Sequence, residues 1–245
     1  MKTVAIIQAR TGSTRLPSKV LRMLADKPVL LHVVERLRQT KGIDEIVIAT
    51  TLNQTDEPIV ELAKNNDICC YRGSEENVLS RYYFAAKERS ADTVIRITSD
   101  CPLIDPFIVD ATLEEYLHND CDFVSNGGDE YTKRTFPRGF DTEVFSFTKL
   151  EEAFYQATES YQKEHVTPYI YEHCRAMYYL NKTNESCYRL TLDTEEDFQL
   201  IEIIYQRLYK GKHDFYAREI IRLLEQEPEL VKINAHVEQK ETKPC

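Results

Sequence analysis

The chain has 245 residues, 42% of them hydrophobic and 29% charged, with a formal net charge of −10. That is an ordinary globular balance for one large domain, and the acidic surplus excludes a general nucleic-acid binder, whose phosphate contacts need a basic surface. No apolar run approaches a membrane span, the opening run Val4–Ile7 is too short for a signal peptide, and the seven cysteines form no CxxC pair or zinc-like spacing. The expectation is a cytoplasmic protein of a reducing compartment, with no nucleic-acid partner and no membrane insertion.

The first half alternates strand and helix. TVAIIQ (3–8) reads as a buried strand, and 28–40 as a helix with Val29, Leu30, Val33, Val34 and Leu37 on one stripe. A strand at 44–51, a helix at 56–66, a short strand at 68–71, a helix at 76–90 and a strand at 92–98 follow. Asp105 and Pro106 read as N-cap and first position of a helix running to about 119. Such alternation predicts an α/β fold of three layers, a mostly parallel sheet covered on both faces.

The pattern then loosens. Residues 121–126 read as a strand, 127–139 as a turn-rich connection and 140–147 as an alternating strand. Helices are expected at 148–159 and 163–174, short strands at AMYYL and YRLTL, an amphipathic helix at 194–209 and another at 215–226. The expected organisation is a single domain over 1–231, with 127–180 as a smaller irregular section and 232–245 as a polar tail.

The loop after the first strand, ARTGSTRLPSK, gathers Arg10, Arg15 and Lys19 around Gly12, Ser13 and Thr14. In open parallel sheets ligands bind beyond the carboxyl ends of the strands, so this loop suits a phosphate: small residues let backbone amides approach, and the cations supply charge. It is neither GxxxxGK[ST] nor GxGxxG, and a solvated basic turn is the competing reading. Asp100, just past the fourth main strand, sits at the same edge, where a carboxylate could bind Mg²⁺ or serve a turn. Asp105 is adequately explained as a cap. Asp193 opens a second such arrangement, where Thr194 and Asp197 have capping-box spacing.

The block IIQARTGSTRLPSKVL resembles the signature loop of the sugar cytidylyltransferases that activate acylneuraminate and 3-deoxy-manno-octulosonate sugars. More closely, it resembles the branch named for spore coat polysaccharide biosynthesis protein F. SEENVLSRYYFAA (74–86), RITSDCPLIDP (96–106), RGFDTEVFS (138–146), EHVTPYI (164–170) and LDTEEDFQLI (192–201) resemble its other blocks in order. The resemblance implies a nucleotide-diphospho-sugar-transferase fold (GT-A, Rossmann-like), CTP and an acidic sugar as substrates, Mg²⁺ as cofactor and a homodimer. It assigns Asp100 and Asp193 to the metal, and Arg10 and Lys19, with Asp100, to catalysis. Gly12, Ser13, Arg15, Asn77 and Arg81 would line the nucleotide, and Arg138, Asp141, Glu143 and His165 the sugar. Where some relatives carry a further Asp, this chain has Thr191, one carboxylate fewer. Two other readings stand beside it: a glycosyltransferase using Asp120–Cys121–Asp122 as a nominal DxD, and a non-catalytic nucleotide-binding subunit.

Overall fold

The computed structural model describes residues 1–128 and 133–239, and every structural statement below concerns these. Thus 129–132 of the expected turn-rich connection and 240–245 of the expected tail lie outside the described residues. In chain order the elements are β1 (Thr3–Gln8), β2 (Met23–Leu24), β3 (Lys27–Pro28), α1 (Val29–Leu37), β4 (Glu45–Thr51), α2 (Glu57–Asn65), β5 (Cys69–Gly73), α3 (Val78–Glu88) and β6 (Thr93–Thr98). There follow α4 (Pro106–His118), β7 (Phe123–Ser125), β8 (Glu143–Ser146), α5 (Phe147–Gln156), α6 (Ser160–His165), α7 (Pro168–His173), β9 (Ala176–Tyr178), α8 (Glu195–Leu208) and α9 (Ala217–Gln226).

Seven strands form one sheet in the order β5-β4-β1-β6-β8-β7-β9. The strands β5, β4, β1 and β6 run parallel, β8 is antiparallel to β6 and β7, and β9 is parallel to β7. The chain steps outward from β1 through β4 to β5 and then returns to lay β6 on the other side of β1, so the strand order reverses there. In open α/β sheets such a switch point is where a ligand crevice forms, here beyond the carboxyl ends of β1 and β6.

Side chains alternate across the strands and feed two cores. Ala5, Ile7, Ile48, Ile95 and Ile97 pack under α1, α2 and α4. Val4, Ile6, Val47, Ala49 and Val94 pack under α3, α5 and α7. A third core joins Leu16, Leu24, Phe140, Leu190 and Leu192 to the apolar faces of α8 and α9. This last core fastens the carboxyl-terminal helices beside the crevice.

The expected elements of the first half are present, and the second half departs from expectation in specific ways. The strand expected over 140–147 shortens to β8, because Phe147 already opens α5 behind an N-cap at Ser146. The helix expected over 163–174 is two short ones, broken at Val166, whose φ is 73°. YRLTL is no strand: it makes a single isolated bridge between Arg138 and Arg189. Within the expected polar tail, Asn234 is 2% exposed and its side chain donates to the Arg189 carbonyl and to Asp197.

The α1 stripe is broader than its apolar positions. His32 and Arg36 are also fully buried on it. His32 Nε2 meets the Leu24 carbonyl at 2.6 Å, which fixes that nitrogen as donor. Its Nδ1 therefore accepts from His213 Nε2 at 2.8 Å. His213 Nδ1 in turn lies 3.3 Å from Glu35, a carboxylate that also pairs with Lys27 at 2.8 Å. Burial, reinforced by Arg36, His32 and Lys27, pushes the His213 pKa down to about 3, and burial also lowers that of His32.

Two expected outcomes follow from these contacts. The folded pKa of His213 lies below the unfolded one, so below about pH 6.5 the unfolded chain binds more protons. The melting temperature should therefore fall as pH drops from 7 to 5, and less steeply in His213→Gln; parallel slopes for the two proteins would remove this pair as the cause. The second outcome concerns Gly139, whose φ is +105° and where a Cβ would stand 2.4 Å from the Leu190 carbonyl oxygen. Gly139→Ala should cost about 1–3 kcal/mol in urea unfolding, because it forces apart the crossing that carries residues 190–193 to the crevice.

Candidate active site

The loop after β1 is anchored before it can bind anything. Asp56, 1% exposed, accepts from the Thr11 amide at 2.7 Å and the Thr11 hydroxyl at 2.6 Å, and from the Thr51 hydroxyl. The Ser18 amide returns to the Thr11 carbonyl at 3.0 Å, and Ser18 takes a left-handed φ of 54° that turns the chain into Lys19. The amides of Gly12, Thr14 and Arg15 have no acceptor among the described residues. These three residues are exposed, so their amides are left to solvent in the loop that follows β1.

Lys19 is 9% exposed, and its ammonium has three partners: Asp100 Oδ2 at 2.8 Å, Asp193 Oδ1 at 2.8 Å and the Leu192 carbonyl at 2.7 Å. Burial opposes its charge, but Asp100 and Asp193 outweigh burial and raise its pKa. Burial likewise works against the Asp100 carboxylate, and Lys19 overcomes it and lowers the Asp100 pKa. The other oxygen of Asp193 meets Arg15 and Arg189, each at 3.0 Å. Arg189 also grips the fully buried Asp197, which accepts from the amides of Asp193 and Thr194. The capping box of Thr194 and Asp197 forms as its spacing required, with Thr194 the N-cap of α8 and Asp197 accepting back from its amide, so Asp193 is not used as the cap. Asp105 is the N-cap of α4, and its second oxygen holds the Ala217 amide.

Arg10 lies at the outer side of the loop in an ion pair with Glu75, 3.1 Å apart and about half exposed. Such a surface pair contributes about 1 kcal/mol or less, so Arg10 is cheaply released. Ser13 uses its amide within the loop, to Thr11, and its hydroxyl accepts from Leu16 at 3.4 Å. Asn77 caps α3 through the Ser80 amide. Arg81 is 2% exposed and donates to the carbonyls of Ser74 and Glu75. It shapes the segment that carries Glu75 instead of opening onto the crevice, as the sequence resemblance implied.

The second group of expected residues is more engaged than the strand pattern implied. Asp141 does not share a strand face with Glu143: it precedes β8, accepts from the Gly139 amide at 2.9 Å and pairs with Arg134. Glu143 is bonded to Arg96 at 2.7 Å and to the Thr167 hydroxyl at 3.0 Å. His165, half-buried, ends α6 two residues before Thr167, and its carbonyl accepts the Thr167 amide. Arg138 is half-buried with no acceptor for its guanidinium among the described residues; burial and the neighbouring Arg134 and Arg189 lower its pKa. The DxD-like residues lie at the opposite end of the sheet, before β7, where Asp120 and Asp122 both bind Arg175.

Three contributors had no signal in the sequence motifs. Arg189 orients Asp193 from an irregular segment. Asn126, fully buried, holds residues 140–142 through the Phe140 carbonyl and the Thr142 amide. Gln8, at the crevice end of β1, leaves Oε1 buried without a donor, the kind of orphan that a bound ligand satisfies. None of the described helices is long and apolar enough to cross a membrane.

Known proteins resemble this chain in sequence and fold. The profile of the cytidylyltransferase family matches residues 4–229. The spore coat polysaccharide biosynthesis protein SpsF of Bacillus subtilis is 35% identical over 236 residues, 91% of this chain and 94% of its own. The 3-deoxy-manno-octulosonate cytidylyltransferase of Trichlorobacter lovleyi is 32% identical over 119 residues, 49% of this chain and 46% of its own. A solved cytidylyltransferase structure from Leptospira borgpetersenii superposes with a TM-score of 0.88 at 33% identity, covering 98% of this chain and 99% of that one. With a loop of open amides and cations facing two carboxylates across the switch point, and with matches that run nearly its whole length, this chain belongs to the cytidylyltransferase family and is a nucleotidyltransferase.

Proposed function

We propose that the protein transfers CMP from CTP to a hydroxyl of an acidic sugar in a Mg²⁺-dependent reaction. The products are a CMP-sugar for surface polysaccharide synthesis and pyrophosphate. The observation that carries this reading is the pair Asp100 and Asp193, drawn from distant segments of the chain to one cation beside the anion-ready loop. The names of the SpsF and 3-deoxy-manno-octulosonate relatives support an acidic sugar of a polysaccharide as the acceptor.

The carboxylates fit a magnesium ion. The Lys19 ammonium is a stand-in cation within 2.8 Å of both, and Mg²⁺ is commonly held by one or two carboxylates with water and phosphate oxygens as its other ligands. Asp100 and Asp193 would hold it, and when bound it supplies Lewis-acid and template chemistry at the phosphates. The chain's own residues do the rest. The amides of Gly12, Thr14 and Arg15 receive phosphate oxygens, and Arg10 leaves Glu75 for the negative charge that develops on the departing pyrophosphate. The acceptor hydroxyl attacks the α-phosphorus in line, forming one P–O bond as the bond to the β-phosphate oxygen breaks; pyrophosphate departs and the hydroxyl proton is released to solvent. Arg138 and the Gln8 amide oxygen, for which no partner is found among the described residues, are the groups offered to the sugar.

The glycosyltransferase reading loses its main support, since Asp120 and Asp122 lie at the far end of the sheet and are occupied by Arg175. The test is a melting screen followed by product analysis. CTP with Mg²⁺ should raise the melting temperature, with stability rising by about 2.7 kcal/mol at a hundred times the dissociation constant, while ATP, GTP and UTP do not. An acidic-sugar screen should then release pyrophosphate, and Asp100→Asn should lower kcat by about a hundredfold or more with the circular dichroism spectrum unchanged. A shift with a nucleotide-sugar alone, or full turnover in Asp100→Asn, would falsify the assignment.

A further inference from the structure

We propose that Lys19 is an internal counter-ion that keeps the Asp100–Asp193 site closed to divalent metal in the free protein, so that metal and triphosphate enter together. This rests on the reading of those two carboxylates as the metal ligands. An ammonium group has three N–H donors and no acceptor, and all three are used here, at 2.8, 2.8 and 2.7 Å. Lys19 therefore cannot donate to a phosphate without releasing at least one of these partners, and a metal cannot sit between the carboxylates while the ammonium does.

Charge points the same way. Asp100, Asp193 and Asp197 are matched by Lys19, Arg15 and Arg189. The cluster is thus balanced before any metal arrives, and a dication added alone would create an excess of positive charge in a cleft where Lys19 is only 11% and Asp193 14% exposed at the side chain. A buried ammonium that loses its carboxylates needs new acceptors, since an unpaired buried charge is strongly disfavoured. Phosphate oxygens are such acceptors. Lys19 hangs on a flexible four-carbon stem, from a residue that begins a short 3-10 turn at the end of the phosphate loop. Swinging from the carboxylates to the phosphates opens the metal site and places the cation on the reacting groups in one movement. The lysine thereby couples metal affinity to nucleotide occupancy.

The experiment measures Mn²⁺ binding to the full chain without nucleotide, from the electron paramagnetic resonance signal of unbound Mn²⁺. Wild type should bind weakly. Lys19→Met and Lys19→Gln should each bind at least about tenfold more tightly, equivalent to about 1.4 kcal/mol, and Lys19→Arg, which retains a cation, should resemble wild type. Adding Asp193→Asn to Lys19→Met should abolish the gain, which ties the bound ion to this site. Because Lys19→Met removes the cation that Asp100 and Asp193 share, its melting temperature should also rise more with Mn²⁺ than that of wild type. The Gln variant keeps two N–H donors, and its binding stands as the readout if the Met variant does not fold. Equal Mn²⁺ affinity in wild type and both neutral variants, with CTP turnover intact in wild type, overturns the counter-ion role alone. Absence of Mn²⁺ binding in every variant, together with no response to CTP, overturns the functional reading with it.

Discussion

One ammonium group ties the molecule together at the crevice. Lys19 comes from the loop after β1, Asp100 from just beyond β6 and Asp193 from the residue before the N-cap of α8. Three remote segments are thus joined at a single nitrogen. Each element had to be positioned by its own packing first, because a buried charge is tolerated only where its partners are already in place. The central sheet places the first two. The third core, in which Leu190 and Leu192 pack with α8 and α9, brings the third.

That third core explains why the carboxyl-terminal quarter belongs to the site at all. The segment 188–193 has no sheet to run in, so it is held by individual bonds. Leu190 donates to the Arg138 carbonyl, Leu192 donates to the Asp100 carbonyl, and Asn234 donates to the Arg189 carbonyl. Gly139 permits the crossing by having no side chain at the point where a Cβ would meet Leu190. A chain without regular secondary structure can carry a functional carboxylate only when its backbone groups are satisfied in this way.

In the free protein both polar halves of the site are internally paired. Glu75 occupies Arg10, and Asp100 and Asp193 occupy Lys19. The two pairings differ in cost. Arg10 and Glu75 are about half exposed and their pair is screened by water, whereas the Lys19 cluster is largely buried and balanced by Arg15 and Arg189. Ligand binding to such a site is an exchange of partners, and the deeper pairing is the one that gates it.

The sequence by itself determined the alternation of the first half, the loop of Arg10, Gly12 and Lys19 at a strand's carboxyl end, and the capping of α4 and α8. Each depends on neighbours within a few residues, where periodicity and spacing carry the physics. It also marked Asp100 and Asp193, the latter only through likeness to related blocks, since capping and crevice-facing aspartates look the same in one dimension. Tertiary structure alone decided that Asp193 meets Lys19, that Arg81 turns inward, and that Asp141 leaves the strand face it seemed to share with Glu143. It also decided the roles of Arg189, Asn126 and the His32–His213 pair. Those depend on contacts between residues far apart in the chain, and polar partnerships at long range leave no period in a sequence.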